Sequence, residues 1–124
     1  MLDEGFGMTF RRSKHTGAMT ADHRRRFDAI KDRGCIACRQ RGLRKVYPEV
    51  HHLTESGRQL GHDFTVGLCP WHHRAQPFGD WLDAPRCRAA LGPSLAEGSK
   101  PFYAAFGGNA ELLERQNKLL ETPA

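Results

Sequence analysis

The sequence has no long apolar run. The opening stretch, MLDEGFGMTFRRSKHTG, lacks the apolar core of a secretory signal, and nothing later approaches the length of a membrane span. A cytosolic compartment is therefore expected, where thiols stay reduced. Hydrophobic residues are few, 39% of 124 residues, which allows one domain with a modest core. A core of that size often calls for a staple, either disulfides or a metal. Acidic residues are scarce between Arg11 and Lys45, where twelve Lys/Arg face three Asp for a local charge of +9. From Val46 onward, seven Lys/Arg are outnumbered by nine acids. One basic end on a near-neutral body suits a polyanion such as nucleic acid, the plainer alternative being a solvated, solubilising arm. No segment repeats internally.

Eight of the eleven Cys and His residues fall between Cys35 and His73. Within that stretch sit two half-sites, Cys35-x-x-Cys38 and Cys69-x-x-His72. Two intervening residues let a tight turn present both donors to one ion, and thiolates with an imidazole in a set of four favour tetrahedral zinc. A closed four-ligand site of this kind is structural. The alternatives are a disulfide or buried thiols, but paired cysteines in a reducing compartment read first as metal ligands. Cys87 lies outside both half-sites and reads as a semi-buried thiol.

Around the half-sites the pattern predicts an α+β domain. Residues 1–19, with several glycines and no apolar periodicity, read as a flexible basic arm, and residues 20–124 as a single domain with its motif core at 33–78. Thr20 is placed to cap a helix that turns Phe27 and Ile30 to the core and stops at Gly34. Residues 34–38 form a metal-binding turn, and Arg39 to Glu49 is irregular. Val50 to Leu53 and Phe64 to Leu68 read as short strands separated by a polar loop over Thr54 to Gly61. Cys69 and Pro70 open a helix that Pro77 limits. The stretch from Pro77 to Pro101 is mostly loop, with a turn of helix over Ala84 to Leu91. A last helix, about 109–121 and capped by Asn109, carries an apolar stripe of Leu112, Leu113, Gln116, Leu119 and Leu120.

Strand, loop, strand, helix is a ββα outline, and it leaves His51, His52, His62 and His73 free of the zinc set. A His-His pair on a strand and a further His on a helix could close a second, open metal site. Such a site suits phosphodiester hydrolysis: the metal neutralises charge on the phosphate while a separate neutral histidine takes a proton from water. Neighbours in a regular strand face opposite sides, so His51 and His52 reach one site only if the strand ends or bends there.

CIAC, VHHL and GLCPWHH together resemble the HNH (ββα-metal) endonucleases, in which a strand carries Asp-His or His-His and a helix carries the last His. HHLTESGRQLGHDFTVGLCPWHHR and GPSLAEGSKPFYAAFG further resemble the Ref-type recombination enhancement nucleases of phages and prophages, which depend on RecA. The resemblance spans about residues 33–120. It implies a small irregular domain with a zinc-stapled HNH motif flanked by helices. His51 and His73 would hold a catalytic Mg²⁺ or Mn²⁺, a site that Zn²⁺ could also occupy. His52 would be the general base, and Cys35, Cys38, Cys69 and His72 the structural Zn²⁺ set. The central Asn of HNH has no counterpart, since Asn109 and Asn117 are the only asparagines; Asp63 or His62 stands nearest to its role. Arg11, Arg12, Lys14, Arg58 and Arg74 are the candidates for DNA contact. The implied activity is a DNA endonuclease, monomeric and acting with RecA filaments at sites of strand pairing. Its rivals are a zinc-stabilised DNA-binding module without catalysis and an HNH nuclease that works without RecA.

Overall fold

A computed structural model describes residues 18–43, 45–80 and 83–122 of the chain. The basic arm, up to residue 17 and including Arg11, Arg12 and Lys14, lies outside the described residues. The chain order is α1 (Ala21–Arg33), α2 (Ile36–Gln40), β1 (Glu49–His52), β2 (Thr54–Glu55), β3 (Arg58–Gln59), β4 (Thr65–Leu68), α3 (Pro70–Arg74), α4 (Ala84–Leu91), a single 3-10 turn (Leu95–Glu97), α5 (Ser99–Phe106) and α6 (Asn109–Glu121). This is the small α+β domain the sequence leads one to expect.

Helix α1 starts where its cap residue predicts. Thr20 Oγ1 accepts from the His23 amide at 3.1 Å, and His23 Nδ1 accepts from the Thr20 amide at 3.1 Å. The pair closes a capping box and satisfies orphan donors at both ends of the first turn. Gly34 ends the helix at φ 93°, and a Cβ there would lie 3.2 Å from the Lys45 and Val46 backbone. Both the dihedral and the close approach demand glycine. Ile30 is fully buried, whereas Phe27 is half-buried against the rings of His52 and His62.

Strands β1 and β4 pair antiparallel with His51 opposite Val66 and His52 opposite Thr65. Every residue of β4 is buried, because α1, α2 and α6 all pack on it. The tightest point is Gly67, where a Cβ would come within 2.8 Å of Ile30 Cγ2 and 3.1 Å of Pro48 Cβ. Its amide donates to Gln116 Oε1 at 2.8 Å, which explains the fully buried Gln116 in the α6 stripe. Leu112 and Leu113 are buried beside it, and Leu119 and Leu120 are half-buried.

Several basic residues counted toward the positive end serve the fold instead. Arg26 donates to Thr65 Oγ1 and O and to Asn117 Oδ1, joining α1, β4 and α6. Arg33 reaches the carbonyls of Leu119, Leu120 and Thr122 at the end of α6, where a cation also complements the helix dipole.

Four local expectations are corrected. Residues 54–61 are not plain loop: β2 and β3 form a hairpin whose turn residues Ser56 and Gly57 both have positive φ, 53° and 78°. All four strand residues are exposed, so no apolar alternation announces them. The stretch up to Pro101 is less of a loop than its glycines and prolines suggest. Helix α5 begins at Ser99 with Pro101 in its first turn, where the missing amide has no intrahelical partner to lose. Its Phe102 and Phe106, one turn apart, are buried. Asn109 does not cap α6. Gly108 holds the cap position, and the Asn109 side chain donates to the Thr54 carbonyl at 2.7 Å. Finally, Cys87 is fully rather than partly buried. Among the described residues no helix is long and apolar enough to cross a membrane.

Candidate metal centre and active site

The two Cys-containing half-sites use one local device twice. Cys35 is the N-cap of α2 and Cys69 the N-cap of α3, and each thiol accepts the amide three residues on, from Cys38 and His72, at 3.4 Å. Cys-x-x-ligand spacing thus places one donor at the cap and the second a turn later on the same side. Pro70 at the first helical position fixes the turn in the second half-site.

The four ligand atoms lie within 4.8 Å of one another, and all four residues are fully buried. Cys38 and Cys69 sulfurs are 3.7 Å apart. His72 Nδ1 lies 3.5, 3.6 and 3.2 Å from the sulfurs of Cys35, Cys38 and Cys69. Tetrahedral zinc, with bonds of about 2.3 Å to sulfur and 2.0–2.1 Å to nitrogen, sets edges of about 3.8 Å (S···S) and 3.6 Å (S···N). The Cys38–Cys69 edge of 3.7 Å and the S···N edges of 3.2–3.6 Å lie close to these, whereas a disulfide needs sulfurs about 2.05 Å apart. His72 Nε2 donates to the Leu91 carbonyl at the end of α4, at 2.8 Å, which fixes the tautomer that leaves Nδ1 for a metal.

The protons of the cluster make the same point. Burial opposes ionisation of Cys35, but hydrogen bonds from Cys38, Cys69 and His72 and the charge of His72 bring its pKa well below the ordinary value. Hydrogen bonding to Cys35 and Cys69, with burial, pushes Cys38 up, and Cys69 is raised to about 12 chiefly through Cys35. Burial and mutual hydrogen bonding oppose ionising all three thiols together, and a bound divalent cation is what would let them do so.

Strand β1 separates the remaining histidines. It stays regular through His52, so His51 and His52 point to opposite faces. His51 faces His73 of α3, with ring centroids 5.0 Å apart. Glu49, two residues before His51 and so on the same face, lies 2.8 Å from His73 Nδ1. Arg74 donates to both Glu49 carboxylate oxygens at 2.9–3.1 Å. Those hydrogen bonds from Arg74, against some burial, hold the Glu49 pKa below its ordinary value, so the carboxylate is an acceptor. His73 therefore donates from Nδ1 to Glu49, an arrangement of carboxylate and histidine found in many metal sites. Burial, then the charges of His73 and His52, lower the His51 pKa to about 4, so this ring is neutral near pH 7.

On the other face His52 Nε2 meets His62 Nδ1 at 2.9 Å, and His62 stacks obliquely on His23 at 4.9 Å. Burial and the neighbouring His62 lower the His52 pKa. Asp63 is placed apart from both histidine pairs: its exposed carboxylate lies 3.5 Å from His23 Nε2. Arg58 is exposed on the β2–β3 hairpin, and Arg74 is engaged by Glu49. Glu49 is the residue that the sequence reading passed over. Its signal was present, since the two-residue strand period puts Glu49 beside His51, but only the crossing of α3 shows that it meets His73.

Fold and site together define a small α+β domain whose Cys₃His cluster fits zinc and whose ββα unit presents a histidine from a strand to one from a helix. The chain belongs to the recombination enhancement, RecA-dependent nuclease family, whose model matches residues 19–121. No curated protein matches the chain.

Proposed function

We propose that the chain is an HNH-type endodeoxyribonuclease that hydrolyses DNA phosphodiesters with a divalent metal, Mg²⁺ or Mn²⁺, held by His51 and His73. The observation that carries this reading is the meeting of His51 and His73 across β1 and α3, with Glu49 fixing the His73 ring. Two histidines leave coordination positions for water and a phosphate oxygen, and the bound ion would supply charge neutralisation on the scissile phosphate. His52, its pKa lowered, is the candidate general base that the resemblance suggests. His52 lies against His62 on the opposite face of β1, so it is kept in this role on the resemblance alone. Asp63, exposed beside His23, has no part in the proposed site.

DNA affinity would come from Arg58, exposed on the β2–β3 hairpin, and from Arg11, Arg12 and Lys14 of the basic arm, and would fall with salt. Consistent with the family, we place the activity where RecA filaments pair a strand with its homologue in phage or prophage recombination. A nicking assay with Mg²⁺, run with and without RecA filaments on a homologous strand, tests this. Cutting only with filaments is expected. Cutting without them removes the RecA requirement, and DNA binding with no cutting in either case favours a zinc-stabilised binding module. His51→Ala and His73→Ala should abolish cutting with zinc content and DNA binding retained. His52→Ala should do the same, and wild-type cutting by it would remove His52 from the reaction while leaving the metal pair standing.

A further inference from the structure

The segment Gly92 to Gly107 serves neither the histidine pair nor a ligand position in the zinc cluster, yet part of it walls a cleft. The cleft, about 440 Å³, lies between the β2–β3 hairpin, the 3-10 turn, α5 and the start of α6, and it opens onto His51. Thr54, Glu55, Ser56, Tyr103 and Asn109 form much of the rest of its wall. Hydrogen bonds fix that wall across three elements: Tyr103 donates its hydroxyl to Asn109 Oδ1 at 3.2 Å, and Asn109 Nδ2 donates to the Thr54 carbonyl at 2.7 Å.

The lining is informative about its occupant. It contains hydroxyls, an amide and one half-buried aromatic ring, and no lysine or arginine; its one carboxylate, Glu55, repels phosphate. A phosphate group finds no cation there, whereas a nucleobase with its sugar finds hydrogen-bonding partners and a ring to stack on. The volume falls in the range of sites that enclose a small organic group, about 300–1,000 Å³. Because His51 forms part of the wall, a strand whose phosphate sits at the His51–His73 pair has its neighbouring nucleoside at the cleft.

We propose that this cleft takes one unstacked nucleoside next to the scissile phosphate, with Tyr103 as its stacking platform. The position relative to the cut rests on the nuclease reading above; the stacking itself does not. A base within an intact duplex is not available to such a cleft and has to be unpaired or flipped out first. The preferred substrate is then DNA with an exposed nucleotide at the cut, and an intact duplex offered alone is a poor one.

The test uses the full, zinc-loaded chain and a single-stranded oligonucleotide carrying 5-iodouracil, which photo-crosslinks to aromatic rings it stacks on. Without Mg²⁺ or Mn²⁺, irradiation is expected to attach the strand to Tyr103, as mapped by mass spectrometry, and the same sequence in a duplex is expected not to attach. Tyr103→Leu, which keeps apolar bulk, should lose about ten-fold in affinity for the single strand, within the range for one stacked base. Tyr103→Phe, which keeps the ring but loses the bond to Asn109, should bind several-fold more tightly than Tyr103→Leu. Absence of the Tyr103 adduct, or equal affinity of all three proteins at equal zinc content, overturns the proposal; an equal adduct yield from the duplex overturns its requirement for an unpaired base. The readout needs no cutting. A chain that forms the adduct but never nicks DNA therefore overturns the nuclease reading alone, and a chain that nicks without it overturns the cleft alone.

Discussion

Removal of zinc is expected to unfold this domain rather than merely inactivate it. The four ligand residues are fully buried and join the starts of α2 and α3 at one point. Helices α2 and α3 have five residues each, too few to persist without tertiary support. A domain of this size is stable by about 5–15 kcal/mol, and structural zinc binding contributes about 10–16 kcal/mol at neutral pH. Loss of the ion thus removes an amount as large as the whole margin. It also leaves a buried cluster whose Cys38 and Cys69 thiols are pushed toward their protonated forms. Two measurements check this. Cys69→Ala, in a background that also carries His51→Ala and His73→Ala, should lose the one zinc that the background retains, counted by elemental analysis. Treatment of the wild-type chain with a strong chelator should abolish the cooperative thermal transition seen by circular dichroism, with recovery on adding zinc. An unchanged transition after complete zinc removal would refute the argument, because the core would then be holding α2 and α3 in place unaided.

Three further outcomes follow from the geometry. Glu49→Ala frees His73 from its orienting carboxylate and should lower Mn²⁺ affinity or nicking by about 10- to 100-fold, as loss of such a partner does elsewhere; a folded variant with wild-type titration and nicking rates would count against it. Gly67→Ala forces a methyl against Ile30 and Pro48 and should cost about 1–3 kcal/mol, read as a fall in the urea midpoint; an unshifted midpoint would show that the contact relaxes freely. His51 is held at about 4, below its ordinary 6.5, so the unfolded chain takes up the proton first as pH falls. The stability contributed by neutral His51 is therefore complete above its ordinary value and lost between 6.5 and about 4. Urea denaturation at pH 7 and pH 5 should show wild type losing more stability than His51→Gln, and parallel losses would refute the shift.

What the sequence determined by itself was the chemistry carried by short spacings. Cys-x-x-Cys and Cys-x-x-His specify a capped turn whatever surrounds them, so the zinc set could be read without a structure. The α1 cap at Thr20, its stop at Gly34 and the apolar stripe of α6 are local in the same way. The β2–β3 hairpin and α5 were hidden, the first because both its faces are exposed, the second because Pro101 resembles a loop signal unless the helix start is known. The arginine count overstated the free positive charge, because only tertiary packing shows that Arg26 and Arg33 bond to β4 and α6. The same holds at the histidines. The two-residue period of a strand told that His51 and His52 must part unless the strand bends. The pairing of β1 with the fully buried β4 keeps it straight, and the crossing of α3 brings His73 and Glu49 to His51 while His62 takes His52. Which neighbour a histidine meets is decided by contacts between residues far apart in the chain, and those exist only once β1, β4 and α3 are packed.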